Sequence, residues 1–188
     1  MKQLINDVFG FDLNPTVEAG TIPSAHDYLY IPLLDLVEQS AELGFVNIEP
    51  DMDGIIRRIP IAAEFNGRLA PSFFLQALCS YLDYGLENIE VVSASHLVLH
   101  HFPGKEKGTT RDLSIPLDGE GNLLVNYAGP KNLKNYPHSY GAWGVLKAES
   151  PLDELRGKLV ILSDVSSASN DHSPIPVENM FPRSYILS

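Results

Sequence analysis

Apolar residues recur every three or four positions in four segments of the chain, which is the spacing of a helix buried on one face. These segments are residues 2–9, 32–43, 73–84 and 138–146. Pro32 fits the first turn of a helix, and Gly44 and Gly85 are expected to end the second and third helices. We therefore expect a few short helices spread along the chain.

Short runs of β-branched or alternating apolar residues predict strands between these helices. The predicted strands are residues 45–48, 57–65, 89–92, 97–101, 112–116, 123–127 and 158–163. Residues 158–163 are almost continuously apolar, as in a strand at the centre of a sheet. Asn66-Gly67 is a typical two-residue β-hairpin turn. Turns are also predicted at 118–121 and 152–155, whereas 11–31 and 166–182 are predicted to be irregular.

Strands that alternate with helices predict an α/β fold. We expect a mixed sheet of short strands with a few packed helices, arranged as a partial three-layer sandwich. With 188 residues, the chain is long enough for a sizeable core and is predicted to form a single domain. Within it, residues 1–30 are expected to be an irregular N-terminal segment.

An acidic turn stands between the first two predicted strands. The side chains of Asp51 and Asp53 can accept hydrogen bonds from nearby amides, and Gly54 can take the positive φ of a tight reversal. Arg57 and Arg58 then open the next strand. These residues predict a hairpin with an acidic tip, in which Asp51, Asp53 and Gly54 have a structural role.

The same turn imitates half of a calcium-binding loop, because carboxylates at alternate positions precede a glycine. The other half is missing. Pro60 stands where the loop needs a bidentate glutamate, and Arg57 occupies another ligand position. We therefore predict no metal site here.

Arg57 and Arg58 have two interpretations. A guanidinium binds carboxylate or phosphate through two hydrogen bonds, so the pair could clamp an anionic ligand. Alternatively, one arginine pairs with Asp51 or Asp53 and the other is solvated. Adjacent residues of a strand point to opposite faces, so at most one of them faces any given pocket.

A polar loop follows the apolar run 158–163, and ligands gather at the carboxyl ends of such strands in α/β folds. Asp164, Asn170 and Asp171 are candidate ligand-binding residues of this loop, and Asn126 could face the same crevice. A connecting loop without a ligand is the alternative. A metal-assisted hydrolase that uses Asp164, Asp171 and His172 is a further, less favoured hypothesis.

Charge and cysteine content exclude several classes of function. The formal net charge is −11, which disfavours nucleic acid and anionic membranes as partners. Cys79 is the only cysteine, so an intrachain disulfide and a thiolate-rich metal site are excluded. Nucleotide-binding and hydrolase motifs are absent, and we predict no cofactor and no catalytic residues. The six histidines could titrate near neutral pH.

Four motifs carry a family resemblance. They are GFVN-x-x-x-D-x-DG-x-x-RR-x-P at residues 44–60, APSF at 70–73, GEGNLLVNYAGP at 119–130 and LRGKLVIL at 155–162. Together they resemble CHASE2 domains. Ser163 and Ser173 depart from the family pattern, which usually has Gly and Thr there. The resemblance covers about residues 31–182 and corresponds to the C-terminal two thirds of such a domain.

The resemblance implies an extracytoplasmic, periplasmic or extracellular sensory and ligand-binding module of a bacterial inner-membrane receptor. The parent protein would be membrane-anchored, with a cyclase, histidine kinase or similar cytoplasmic output, and the module itself would be non-catalytic. Its signal is an unknown small molecule or protein. The alternative is a protein-interaction or dimerisation module without a small-molecule ligand. An exposed sheet edge left by missing strands would favour a homodimer.

Overall fold

The computed structural model describes residues 11–12, 34–40, 42–65, 68–93, 95–106, 108–129, 140–147, 152–164 and 172–182. The chain divides into two compact units. Unit 1 consists of Met1–Glu49 and Arg58–Leu124, and unit 2 of Pro50–Arg57 and Val125–Ser188. The single domain over residues 1–188 stays a prediction, and the predicted helix at residues 2–9 lies outside the described residues.

The largest sheet of unit 1 is an antiparallel meander of three strands, β5 (Ile89–Ser93), β6 (His96–Pro103) and β7 (Thr110–Pro116). All three strands were predicted, within a few residues. Alternate side chains of β5 and β6 are buried in the core, among them Val91, Leu97 and Leu99. The pairing of β6 with β7 shifts between Leu99 and Phe102, which marks a β-bulge.

The predicted hairpin around Asn66-Gly67 is confirmed by the strands on either side of it. Strands β3 (Ala62–Phe65) and β4 (Arg68–Pro71) pair antiparallel, with Phe65 opposite Arg68. Strand β1 (Phe11–Asp12) pairs with the other edge of β4. The prediction that residues 11–31 are irregular is therefore wrong at these two positions, because the free edge of β4 pairs with them.

Helix α2 (Phe73–Leu82) is the longest helix among the described residues. Ser72 caps it, since its hydroxyl accepts a hydrogen bond from the Leu75 N–H at 3.3 Å. The helix ends two residues before the predicted end, because Asp83 already adopts the left-handed conformation (φ 51°). Leu75 and Cys79 pack into the core of unit 1.

The predicted strand 45–48 is wrong. Phe45 forms only an isolated parallel bridge with Ser72, in which its N–H donates to the Pro71 carbonyl and its carbonyl accepts from the Phe73 N–H. The preceding helix, α1, is shorter than predicted and covers Leu34–Gln39. Its Val37 is buried, whereas Leu36, predicted on the same face, is exposed.

The predicted strand 57–65 is two strands with different partners. Strand β2 (Arg58–Pro60) pairs with β8 (Asn122–Leu124), while β3 pairs with β4. Between them, the Ile61 N–H donates to the Gly121 carbonyl. The hairpin predicted to join residues 45–48 to this segment is therefore wrong, because β8, which is distant in sequence, supplies the partner of β2.

Unit 2 contains an antiparallel strand pair, β9 (His172–Ile175) and β10 (Glu178–Pro182), at positions predicted to be loop. Ile56, from the short N-terminal piece of this unit, is fully buried, and its N–H donates to the Pro174 carbonyl at 2.9 Å. The Tyr127 hydroxyl donates to the Ile56 carbonyl at 2.9 Å. Helix α3 (Ala142–Leu146) and a 3₁₀ turn (Leu152–Leu155) complete the described elements of the unit.

The prediction of a central strand at residues 158–163 is wrong. The described segment has no strand there, and its apolar side chains are exposed: Leu159 by 51%, Val160 by 58% and Leu162 by 84%. A continuously apolar run becomes a buried strand only if neighbouring strands cover both of its faces. The described strands of unit 2 pair with each other instead.

The α/β class is confirmed, since both units contain short strands together with a few short helices. The described strands form four small sheets, of two or three strands each, and every strand pair in them is antiparallel. The partial three-layer sandwich stays a prediction.

Candidate functional site

Arg57 and the acidic turn form a compact ion-pair cluster in unit 2. Nη1 of Arg57 donates to Asp51 Oδ2 at 2.8 Å and to Asp53 Oδ1 at 2.9 Å, and Nη2 donates to Asp53 Oδ2 at 2.8 Å. The turn is closed by two backbone hydrogen bonds, from the Gly54 N–H to Asp51 and from the Asp51 N–H to Ile55. Gly54 has the expected positive φ, 80°.

The electrostatics of this cluster follow from the arginine. Hydrogen bonds from Arg57, and then from the Ile55 amide, lower the pKa of Asp53 to about 2. The hydrogen bond to Asp53, followed by the one to Asp51, raises the pKa of Arg57 above its ordinary value. An external anion would therefore have to replace two carboxylates to reach this guanidinium. This geometry agrees with the interpretation in which Arg57 pairs with the aspartates of the turn.

Arg58 belongs to unit 1 and faces a different carboxylate. Its Nε lies 3.5 Å from Asp118 Oδ2. Asp118 also accepts hydrogen bonds from the amides of Glu120 (2.9 Å) and Asn122 (3.0 Å), which hold the turn before β8. Burial raises the pKa of Asp118, but those hydrogen bonds and the charge of Arg58 outweigh it, so the pKa is lowered overall. Each of the two arginines thus has its own acidic partner.

The other predicted ligand-binding residues are not assembled into a pocket by the described residues. Asn126 and Asp164 are exposed in unit 2. Asn170 and Asp171 lie outside the described residues. His172, the third residue of the hydrolase hypothesis, is half-buried in β9. The polar pocket stays a prediction.

A second cluster, in unit 1, is centred on His100 of β6. Its Nε2 lies 2.8 Å from Glu90 Oε2 on β5, and its Nδ1 lies 3.2 Å from Asp112 Oδ2 on β7. The pKa of His100 is raised, first by the hydrogen bond to Glu90 and then by the one to Asp112. One imidazole therefore connects three strands of the meander through two carboxylates, which is an arrangement that stabilises its protonated form.

The backbone at this cluster has an unusual conformation. His101, within the β-bulge, has φ 56°, a region that residues other than glycine rarely adopt. Its N–H donates to Asp112 Oδ1 at 3.0 Å. This hydrogen bond is the first cause of the lowered pKa of Asp112, and His100 is the second. Asp112 thus contacts both the titratable ring and the strained residue.

In the sequence, His96 and His100 are four residues apart, a spacing that puts both on one face of a strand, but nothing in it identifies Glu90 and Asp112 as partners of His100. The partners come from the neighbouring strands, so they depend on the register of the pairing. The alternating pattern of a strand tells which face of the sheet a residue occupies. It does not tell where a bulge lies, and here a bulge shifts the register of the pairing between β6 and β7.

The described residues form neither a metal site nor a small-molecule cavity. The described part of the chain contains no group of three or more His, Cys, Asp or Glu side chains that could hold a metal ion. The concavity lined by Ile61, Val91, Leu97 and their neighbours has no room for a water molecule. None of the described helices has the length and apolar character needed to cross a membrane.

Comparisons with known proteins identify the family. The model of the CHASE2 domain matches residues 3–187. The match begins well before residue 31, so the N-terminal segment belongs to the family region as well. Searches of curated proteins and of solved structures gave no match. CHASE2 is an extracellular sensory domain family of signalling receptors. Because the match covers nearly the whole sequence, the chain belongs to the CHASE2 domain family.

Proposed function

We propose that this chain is the non-catalytic, ligand-binding sensory module of a bacterial transmembrane receptor, on the periplasmic or extracellular side of the inner membrane. The observation that carries the proposal is the family match over residues 3–187. The parent receptor would carry the membrane anchor and a cytoplasmic output domain, such as a cyclase or a histidine kinase.

The mechanism that we propose is a population shift. A ligand changes the output only if it binds one conformation of the sensory module more tightly than another. The proposed contact residues are those singled out from the sequence: Arg57, Asn126, Asp164, Asn170 and Asp171 in unit 2 and, as a separate contact in unit 1, Arg58. An anionic ligand that binds Arg57 would have to displace Asp53, which already occupies the guanidinium in the bidentate geometry that such a ligand would use.

A thermal-shift titration tests this proposal. Small carboxylates and inorganic phosphate are the probes, because both can replace a carboxylate on a guanidinium. A ligand that binds only the folded protein raises the melting temperature with its concentration. The matched variants are Arg57→Gln and Arg156→Gln, since Arg156 is an exposed arginine of the same unit whose Nη2 lies 3.9 Å from Asp153 Oδ1.

We expect a concentration-dependent rise in the melting temperature that Arg57→Gln abolishes and Arg156→Gln preserves. A rise that survives Arg57→Gln would reject Arg57 as a contact. No rise with any probe would reject an anionic ligand for this module. In the complete receptor, a ligand that binds should also change the output activity, and binding without such a change would reject the sensory mechanism.

A second candidate function is a protein-interaction or dimerisation module without a small-molecule ligand. The exposed apolar side chains of Leu159, Val160 and Leu162 favour it, because consecutive exposed apolar residues are typical of contact surfaces. Sedimentation equilibrium tests it, with Leu162→Glu compared with Met52→Glu, which changes a fully exposed side chain of the same unit. A dimer that only Leu162→Glu dissociates would support this function, and a monomer at every concentration would reject the homodimer.

A further inference from the structure

The cluster around His100 has the parts of a local switch. The ring contacts two carboxylates, and one of them also holds a strained backbone residue. Imidazoles in general titrate between about pH 5 and pH 8, and the two carboxylates raise the pKa of this ring above its ordinary value.

A protonated imidazole has two N–H donors, one for each carboxylate of the cluster. A neutral ring keeps only one N–H, so it can donate to Glu90 or to Asp112 but not to both. The nitrogen that has lost its proton then turns a lone pair toward a carboxylate, and that contact becomes repulsive.

The Asp112 contact is the one that breaks. It is longer, at 3.2 Å against 2.8 Å for Glu90. The Asp112 side chain is also 59% exposed, whereas that of Glu90 is 35% exposed, so water can replace the contact more readily at Asp112. The backbone of His100 is held separately, because the Tyr84 hydroxyl donates to its carbonyl at 2.6 Å.

The imidazole of His101 also acts on Asp112 through its charge, but neither it nor the other charged groups near the cluster joins Asp112 to β5. Arg111 is adjacent to Asp112 on β7, so its side chain points to the opposite face of the sheet. Glu87, on the 3₁₀ turn Leu86–Asn88 that packs on β6, acts on Tyr84. Burial is the first cause that raises the pKa of Tyr84, to about 12, so its hydroxyl stays a donor throughout the range in which His100 titrates.

Loss of the Asp112 contact reaches the backbone through the same carboxylate. Asp112 Oδ1 accepts the N–H of His101, the residue with φ 56°. A carboxylate that turns away from the ring no longer holds this N–H, and a strained conformation persists only while its surroundings hold it. The bulge of β6 is therefore free to relax.

We propose that His100 is a pH-controlled clamp: protonated, it joins Glu90 and Asp112 across β5, β6 and β7, and when it loses its proton it releases Asp112 and the bulge at His101. The clamp is closed on the acidic side of the His100 transition and open on the alkaline side. It is a property of the sheet itself and goes beyond the proposed function, since it holds whatever ligand the receptor binds.

Nuclear magnetic resonance of the ¹⁵N-labelled chain tests the clamp. The ring signals of His100 give its titration midpoint, and hydrogen exchange gives the protection factor of the His101 amide. We expect a midpoint above the ordinary value of about 6.5. Across that midpoint the His101 protection factor should fall by about tenfold, while that of Val91 in β5 stays constant.

Three variants complete the test. His100→Gln should make the His101 protection factor independent of pH, whereas the control His96→Gln should leave the transition unchanged, because His96 bonds to Ser93 and Ser95 instead. Glu90→Gln should lower the His100 midpoint, because it removes a carboxylate that favours the protonated ring. This variant still tests the clamp if His100→Gln does not fold. A His100 midpoint at or below the ordinary value would overturn the proposal. A His101 protection factor that does not change across that midpoint would also overturn it.

Discussion

The backbone of Gly44 lies so close to that of Phe73 that a Cβ atom at Gly44 would stand 2.5 Å from the Phe73 Cα. This contact accompanies the two hydrogen bonds that join Phe45 to Pro71 and Phe73. Only glycine fits where the two backbones meet. The glycine of the GFVN motif thus allows the chain before the acidic turn to dock against the start of α2.

We predict that Gly44→Ala lowers the free energy of unfolding by about 1–3 kcal/mol, the cost of forcing an extra methyl group into a packed site. Urea denaturation measures the change. Gly141→Ala is the control, because a Cβ there would meet nothing within 4 Å. Equal effects of the two substitutions would contradict the close contact.

Gly54 tests backbone strain without a change in packing. A Cβ at this position would meet nothing within 4 Å, but φ is 80°. We predict that Gly54→Ala destabilises the protein by about 1–2 kcal/mol, because L-residues disfavour left-handed backbone. Gly54→Asn should cost less, since asparagine tolerates that region. If alanine and asparagine are equally tolerated in urea denaturation, the turn does not depend on positive φ.

The acidic turn predicts a dependence of stability on pH. The pKa of Asp53 is about 2 in the folded protein, below the value of about 3.9 expected for an unfolded chain. Ionised Asp53 therefore makes its full contribution to the free energy of unfolding above about pH 4, and this contribution is lost as the pH falls toward 2. A ¹³C titration of the carboxyl groups measures this pKa directly.

Arg57→Lys should move the pKa of Asp53 back toward its ordinary value, because an ammonium group cannot form the bidentate contact. Arg156→Lys is the control and should leave the titration of Asp53 unchanged. A midpoint near 4 for Asp53 in the unmodified protein, at odds with the value of about 2, would show that the ion pair does not persist in solution.

Cys79 reports on the core of unit 1. The thiol is buried in α2, and burial, followed by the charge of Glu42, raises its pKa to about 11. We predict that a thiol reagent modifies the native protein at least about a thousandfold more slowly than the urea-unfolded protein, because the reactive thiolate forms only after opening. Comparable rates would mean that α2 is not packed as described.

The sequence predicted best the elements that local interactions determine. Helix α2 has its cap at Ser72 and its own apolar stripe, and the meander from β5 to β7 pairs neighbouring segments of the chain. The acidic turn was also predictable, since Asp51, Asp53 and Gly54 are residues whose side chains or backbone favour a reversal.

Elements that depend on distant partners were not predictable in this way. Residues 158–163 have the composition of a buried strand, but composition does not supply neighbouring strands. The partner of β2 is β8, so no local pattern could distinguish this pairing from the hairpin that was predicted. The clamp at His100 needs residues from three strands and a bulge. The sequence contains the histidine, but it does not show that Glu90 and Asp112 lie on either side of its ring.

The hydrogen bonds of Ile56 have a consequence for biosynthesis. Unit 2 is assembled from two separate stretches of chain, and the residues between them belong to unit 1. Ile56 receives a hydrogen bond from Tyr127, 71 positions later, and donates one to Pro174. On the ribosome, residues 50–57 emerge long before their partners, whereas all of unit 1 is available by Leu124. Unit 1 can therefore fold during translation, whereas unit 2 must wait until its second stretch, from Val125 onward, has emerged, and a product that stalls before Tyr127 and Pro174 would leave Ile56 without these two hydrogen-bond partners.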